Sequence, residues 1–200
     1  TENASPLISN VTANNTCGGT PTSDLWFKFV VPTPVPPGGL TINTIAGTLN
    51  NFAMALYRHT SGNICQPLPT PGATLTEIAC SIDQGGGNSM PRINTAFTPI
   101  APPLTAGETI YIRVWNQAAA PQYIGTFSIC VQENQPPPND NPCQATPLVP
   151  QYGCILAPFS NEGATPTPGA PTTSCAGTPS TDVWFSVVVP PNGELVFDTQ

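Results

Sequence analysis

The chain has 200 residues, with four Lys and Arg against eleven Asp and Glu and a formal net charge of −7. The few cations do not cluster, and since a nucleic-acid-binding protein needs a basic stripe, nucleic acid is excluded as a partner. No run of 18 apolar residues occurs, which argues against a membrane-spanning helix. The 27 Pro and 17 Gly lie between short apolar runs that a disordered chain lacks.

Six short apolar runs bounded by turn residues are predicted to be β-strands. They lie at residues 24–31, 40–45, 52–58, 74–80, 108–115 and 123–131. In the first run, DLWFKFVV, alternate residues are expected to face the core, namely Leu25, Phe27, Phe29 and Val31. The residues between them are expected to face outward, namely Trp26, Lys28 and Val30. No amphipathic helix is evident. The pattern predicts an all-β fold, an antiparallel β-sandwich.

One stretch of the sequence occurs twice. TCGGTPTSDLWFKFVVP begins at Thr16, and SCAGTPSTDVWFSVVVP begins at Ser174, with ten of 17 aligned positions identical. The similarity continues further along the chain, where residues 38–44 match residues 192–199. The loop that precedes this match is three residues shorter in the second copy. We interpret the chain as tandem homologous units. Residues 1–132 are expected to be a first unit that lacks its N-terminal part, 133–142 a semi-rigid Pro-rich linker, and 143–200 the N-terminal part of a second unit.

Disulfides are predicted for all seven cysteines, Cys17, Cys65, Cys80, Cys130, Cys143, Cys154 and Cys175. Cys65 and Cys80 bracket one hairpin-like segment, and Cys154 and Cys175 bracket the start of the second unit. Cys17 is the equivalent of Cys175, so its partner is expected before Thr1. Cys130 and Cys143 flank the linker and pair either with each other or each with a cysteine outside this segment. No Cys or His spacing supports zinc.

The sequence offers few groups for catalysis. His59 is the only histidine, no nucleophile and acid accompany it, and it is predicted to be an exposed turn residue. We therefore predict that the chain is not an enzyme and needs no cofactor. Asp83, with the backbone carbonyls of residues 85–87, is the only weak candidate for a calcium site, and a flexible turn is the alternative.

Two further sets of residues invite a structural or a binding interpretation. Asp24, which recurs as Asp182, is expected to bond to loop amides or to pair with Arg113, and ligand contact is the alternative. Three aromatic residues lie on the outward phase of their strands: Trp26, Tyr111 and Trp115. They form either a ligand face that stacks on sugars or a surface that packs under loops or against the next unit.

Several motifs together carry a resemblance to a known family. In the first unit SDLWFKFVVP is followed in order by ALYR, EIAC, GGGNSMPRI, LTAGETIYIRVWNQ and GTFSICV. NDNPC lies at the start of the second unit, and TDVWFSVVVP follows it. The chain resembles a repeated module of large secreted surface proteins of Bacteroidota, similar to prepeptidase C-terminal domains with a CUB-like, jelly-roll β-sandwich. The resemblance implies export by the type IX route and a place outside the cell or on its surface. The family shares no catalytic residues, and CSIDQGGG keeps a single acidic residue, Asp83.

These observations predict a non-catalytic structural and adhesive repeat segment of an extracellular surface protein or filament. Its expected partners are neighbouring repeats or identical chains, and surface glycans or a host or substrate surface. Two alternatives stay open. One is a polymerising fibre subunit completed by strand addition. The other is an accessory module of an exported hydrolase that binds carbohydrate or protein.

Overall fold

The computed structural model of the chain describes residues 12–13, 16–18, 24–62, 74–82, 90–117, 125–153, 155–170, 174 and 181–199. The chain forms two compact units, Thr1–Glu133 (unit 1) and Asn134–Gln200 (unit 2). Within the described ranges, no helix is both long and apolar enough to cross a bilayer.

Unit 1 is built from two β-sheets. Its strands are β1 Thr12–Ala13, β2 Asp24–Val30, β3 Leu40–Ala46, β4 Phe52–Ser61, β5 Thr74–Ile82, β6 Arg92–Asn94, β7 Thr109–Asn116 and β8 Phe127–Glu133. The five-stranded sheet has the order β1-β5-β4-β7-β2, and the three-stranded sheet has the order β6-β3-β8. All pairs are antiparallel except the short β1–β5 pair. The predicted antiparallel β-sandwich is confirmed, and each of the six predicted runs contains a strand.

The core of unit 1 lies between the two sheets. Strand alternation places its members at every second position, and the five-stranded sheet contributes buried residues from β4 and β7, namely Phe52, Met54, Leu56, Ile110, Ile112 and Val114. The opposite sheet contributes Ile42 and Ile93, while Phe27 and Phe29 of β2 pack against this cluster from the positions predicted for them. Each side chain of this size stabilises the fold by about 1.5–3 kcal/mol when fully buried.

An irregularity between β4 and β5 determines which β5 side chains share a face. Leu56 pairs with Ala79, but the next residue, Tyr57, pairs with Glu77, so β5 has one extra residue at this point. Such a β-bulge shifts the alternation of the strand by one position. As a result Glu77, beyond the bulge, lies on the same face of the sheet as Cys80, and both point away from the core.

Unit 2 has less regular structure. It contains a short 3₁₀ helix, Pro142–Gln144, and two strands, β9 Thr146–Leu148 and β10 Phe185–Val187, which pair in parallel. The tandem-repeat arrangement remains a prediction from the sequence.

The Pro-rich residues 133–142, expected to form a separate spacer, largely belong to unit 2. Asp140 accepts hydrogen bonds from the backbone N and the Oγ1 of Thr165, both at 2.6 Å. Trp184 N donates to the carbonyl oxygen of Asn139 at 2.9 Å, and Asn139 Nδ2 donates to the carbonyl oxygen of Trp184 at 3.0 Å. Prolines lack an N–H donor, but the carbonyls and the Asn and Asp side chains among them can still anchor the segment.

Candidate functional site

The outer face of the five-stranded sheet, turned away from the core, carries the main cluster of polar and aromatic side chains. We call it the outer-face cluster, and its members are Asp24, Trp26, Tyr57, Glu77, Arg113 and Trp115. The register places Trp26 opposite Arg113, Arg113 opposite Ala55, and Ala55 opposite Cys80. In the run FAMAL of β4 the large residues face the core and the small alanines face outward. The alanines leave room for the bulky groups of neighbouring strands.

Arg113 is at the centre of the outer-face cluster. Its Nε donates to Asp24 Oδ2 at 2.7 Å, and the two side chains are only 5% and 9% exposed. Trp26 Nε1 donates to the same Asp24 oxygen at 3.2 Å. The guanidinium carbon lies 5.3 Å from the Trp26 ring centroid and 5.8 Å from that of Trp115, within range of cation–π attraction. The predicted Asp24–Arg113 pair is confirmed, and both buried charges are compensated inside the fold.

Tyr57 and Glu77 extend the cluster toward β5, and neither was predicted as a site residue. Tyr57 OH donates to Glu77 Oε2 at 3.4 Å. Thr16 N donates to the same oxygen at 3.1 Å, and Thr16 Oγ1 donates to Glu77 Oε1. Burial, reinforced by the nearby Glu77 carboxylate, raises the pKa of Tyr57 to about 12. Alternation in FAMALYR could have placed Tyr57 on the face of the two alanines, but the bulge that brings Glu77 beside it has no sequence signal.

The disulfide of unit 1 joins Cys17 and Cys80, whose Cα atoms are 5.8 Å apart. The expectation that Cys17 has its partner before Thr1 is therefore wrong, and Cys80, which was expected to bracket a hairpin-like segment with Cys65, is bonded to Cys17. The reason is that β1 pairs in parallel with β5, Thr12 opposite Thr74. β1 thus lies beside β5, and Cys17 lies beside Cys80. Cys65, Cys154, Cys175 and the calcium candidate Asp83 lie outside the described residues.

Two other cysteines are described. Cys130 on β8 and Cys143 in the 3₁₀ helix are exposed free thiols. The predicted disulfides of these two residues, with each other or with cysteines elsewhere, stay a prediction.

The three aromatic residues of the hypothetical ligand face lie mostly inside the outer-face packing. Trp115 has no exposed surface, so it cannot stack on a ligand, and its proposed place in an exposed face is corrected. Trp26 and Tyr111 are half-buried and pack against a cluster formed by Trp115, Ala53 and Ala55, among others. Among the described residues, the indole Nε1 of Trp115 is the one buried side-chain nitrogen or oxygen atom without a hydrogen-bond partner. Packing and the Arg113 guanidinium thus stabilise Trp115 in place of a hydrogen bond.

Two further titratable side chains of unit 1, His59 and Glu108, have structural partners. His59 is exposed, as predicted, but it lies in β4 and not in a turn. Its Nε2 lies 2.9 Å from the carbonyl oxygens of Ser61 and Gly62. Glu108 pairs with Arg58. Burial opposes ionisation of Glu108, but hydrogen bonds from Arg58 and Thr105 outweigh it and lower the pKa of this carboxyl. Across the described part of the chain, no three His, Cys, Asp or Glu residues are grouped to hold a metal ion.

In unit 2 the second copy of the motif has the same local geometry. Trp184 Nε1 donates to Asp182 Oδ2 at 3.0 Å, as Trp26 does to Asp24. Thr167 N donates to Asp182 Oδ1 at 3.1 Å. Although desolvation opposes it, hydrogen bonding from Thr167 and Trp184 lowers the pKa of Asp182. Residues 134–200 contain no Lys or Arg, so no counterpart of Arg113 is present in this unit.

Comparison with family models finds no match, and neither the curated proteins nor the solved structures yield a similar chain. The resemblance carried by the sequence motifs is therefore still a prediction.

Proposed function

We propose that the chain is a non-catalytic structural and adhesive segment of an extracellular surface protein, of the repeated type that its motifs resemble in Bacteroidota. The observation that carries the proposal is the disulfide Cys17–Cys80, which fastens the N-terminal segment to the five-stranded sheet. Structural disulfides persist in oxidising surroundings outside the cell and are rare in a reducing cytosol. This cross-link stabilises the folded state because it constrains the unfolded chain. Such stabilisation suits a protein outside the cell, where no cellular machinery refolds it.

The charged, histidine and aromatic side chains of unit 1 support a structural role in preference to a catalytic one. Asp24 and Arg113 neutralise each other inside the fold, and the aromatic residues around them pack together. His59 bonds to backbone carbonyls two and three residues away. A catalytic site would need an acid, a base or a nucleophile held free for substrate. The same groups here stabilise the sheet, as a structural or adhesive module requires.

The oxidation state of Cys17 and Cys80 in native material tests the extracellular role. Cells of the source organism would be treated with N-ethylmaleimide before lysis, and peptides would then be mapped by non-reducing mass spectrometry. Protease treatment of intact cells, with a cytosolic protein as control, would locate the chain. We expect a Cys17–Cys80 disulfide and cleavage by external protease. Reduced, alkylated Cys17 and Cys80 in a protease-protected pool would refute the proposal.

The repeat arrangement and adhesion need separate tests. The intact mass of the native protein, measured without reduction, is expected to exceed the 20.8 kDa of this segment. Peptide mapping is expected to find further units at the spacing that separates Thr16 from Ser174. Deleting the gene is expected to reduce attachment of cells to glycan-coated or host-derived surfaces, and restoring it to recover attachment. Unchanged attachment would leave the structural role but remove the adhesive one.

A further inference from the structure

The disulfide divides unit 1 into a part that can be pulled out along the chain and a part that cannot. Cys17 and Cys80 are bonded at a sequence separation of 63 residues. Tension that reaches Cys17 from its N-terminal side crosses the disulfide to Cys80, so residues 18–79 lie outside the path of the tension. This covalent loop contains β2, β3, β4 and most of β5. Only the residues from Ser81 onward carry the tension to Glu133 at the end of β8.

The strand on the N-terminal side of the disulfide is weakly held. Among the described residues, β1 is the strand that precedes Cys17. It pairs with β5 at two positions, Thr12 opposite Thr74 and Ala13 opposite Leu75. Each hydrogen bond stabilises a fold by only about 0.5–1.5 kcal/mol, so we expect so short a pair to separate early under tension. The tension then acts on the covalent bond between Cys17 and β5.

On the other side of the disulfide, β8 is the first strand that the tension can detach. Its seven residues pair with β3, from Leu40 opposite Glu133 to Ala46 opposite Phe127. Across the described ranges, β3 is the only strand hydrogen-bonded to β8. Five of the seven residues of β8 are exposed. Because segments with few buried contacts open at the lowest free energy, we expect β8 to leave β3 before the rest of the path gives way.

β7 is the second barrier on the path. It lies between β2 and β4 in the five-stranded sheet and pairs with both. Four of its side chains are at most 1% exposed, namely Ile110, Ile112, Val114 and Trp115. Both neighbours of β7 belong to the covalent loop. β7 therefore leaves the sheet only when the pairs on both of its edges break and its apolar side chains lose their cover.

We propose that unit 1 is a segment of limited extension, which lengthens under tension by releasing residues 81–133 alone. β8 leaves β3 first, β7 leaves β2 and β4 next, and the loop closed by Cys17 and Cys80 stays out of the path. The released residues span about 170–190 Å when fully extended, and the withheld loop would add about 210–230 Å. A surface segment that is pulled thus gains a fixed length. The inference rests on the structural role proposed above only in taking the chain to be pulled in use.

Single-molecule force spectroscopy tests the limit on the oxidised 200-residue chain, with a handle attached at each end. The comparison is with a variant in which Cys17 and Cys80 are both replaced by alanine. Because the change lies in unit 1, any difference in released length belongs to this unit and not to unit 2. We expect the variant to release about 200 Å more than the unaltered chain. Equal released lengths would overturn the proposal.

A second cross-link tests the order of release and keeps the native disulfide, so this test stands even if the double variant does not fold. Asn43 of β3 lies directly opposite Cys130 of β8, which is a free thiol. Paired residues of antiparallel strands have Cα atoms about 4.5–5.5 Å apart, a distance that a disulfide spans. Oxidised Asn43→Cys is therefore expected to fasten β8 to β3, which non-reducing peptide mapping verifies.

With this cross-link in place, the first unfolding event of unit 1 is expected to need a higher force. At full extension the released length should fall by about 80 Å, because the path then runs from Cys17 through β2 to position 43 and across to Cys130. Asn43→Ser is the matched control and should leave both quantities unchanged. A first event at the same force in the cross-linked and control chains would overturn the order of release. These measurements on purified chain are independent of whether the native protein is exported or adhesive.

Discussion

Two strands with nearly the same sequence have different surroundings in this molecule. β2 and the segment that contains β10 share the Asp-x-Trp-Phe motif, and in both the tryptophan Nε1 donates to the aspartate Oδ2. In unit 1 the aspartate also binds Arg113, and the apolar face is buried. In unit 2 the equivalent aspartate binds Thr167, and the apolar face is exposed. The motif thus specifies a local hydrogen bond, while burial depends on strands from far along the chain.

The largest expected difference between the two copies concerns their aspartates. Asp24→Asn is expected to lower the free energy of unfolding of unit 1 by about 3–5 kcal/mol, because it leaves the Arg113 charge buried and unpaired. The matched change Asp182→Asn removes only hydrogen bonds at a more exposed site, and its effect is expected to stay near 1 kcal/mol. Urea unfolding measures both effects, with hydrogen exchange of β4 amides as the readout for unit 1 and of β10 amides as the readout for unit 2. Equal losses would contradict the contrast.

The disulfide is the next largest difference. Replacing both Cys17 and Cys80 by alanine is expected to cost unit 1 about 2–4 kcal/mol, since the cross-link closes a loop with a sequence separation of 63 residues. A reducing agent should lower the stability of the unaltered chain by the same amount and leave the double variant unchanged. If the reductant also destabilises the double variant, another disulfide contributes to the stability of unit 1.

Matched valines test how differently the two copies are packed. Val31→Ala is expected to destabilise unit 1 by about 1–3 kcal/mol, because the side chain is fully buried and its loss leaves a cavity. Val189→Ala is expected to change stability by less than about 0.5 kcal/mol, since half of that side chain is exposed. Denaturant midpoints of the two variants give the comparison. A large loss from Val189→Ala would show that the surface of unit 2 is covered in solution.

The smallest effect at neutral pH, and the most specific one, involves Tyr57. The pKa of its phenol is raised from 10.0 to about 12, so the neutral form is favoured in the folded chain. Between pH 10 and about 12 the phenol ionises in the unfolded chain but stays neutral in the folded one, so the free energy of unfolding falls over this range. Below pH 10 the contribution of Tyr57 to the free energy of unfolding is fully present. Ultraviolet absorbance should show one tyrosine that ionises late in the folded chain and disappears in Tyr57→Phe. The exposed Tyr152 provides the control, because Tyr152→Phe should leave the late step intact.

The sequence by itself determined the strands and their faces. Period-two alternation identified Phe27 and Phe29 of β2, and Val31 just after it, as facing the core, because a pleated strand directs successive side chains to opposite faces. The position of Asp24 before a strand and the arginine of YIRVW led to two structural expectations, bonds to loop amides or a pair with Arg113, and the structure has the pair. These features depend on local geometry and on the chemistry of single residues, which a sequence carries directly.

Tertiary structure alone decided which strands become neighbours. Cys17 bonds to Cys80 because β1 runs in parallel beside β5, and Glu77 meets Tyr57 because β5 contains a bulge. Trp115 is buried although it lies on the outward phase, since the outer face of the sheet has packing of its own. Contacts between segments distant in sequence depend on the pairing order of the strands, and no periodicity or spacing within one segment encodes that order.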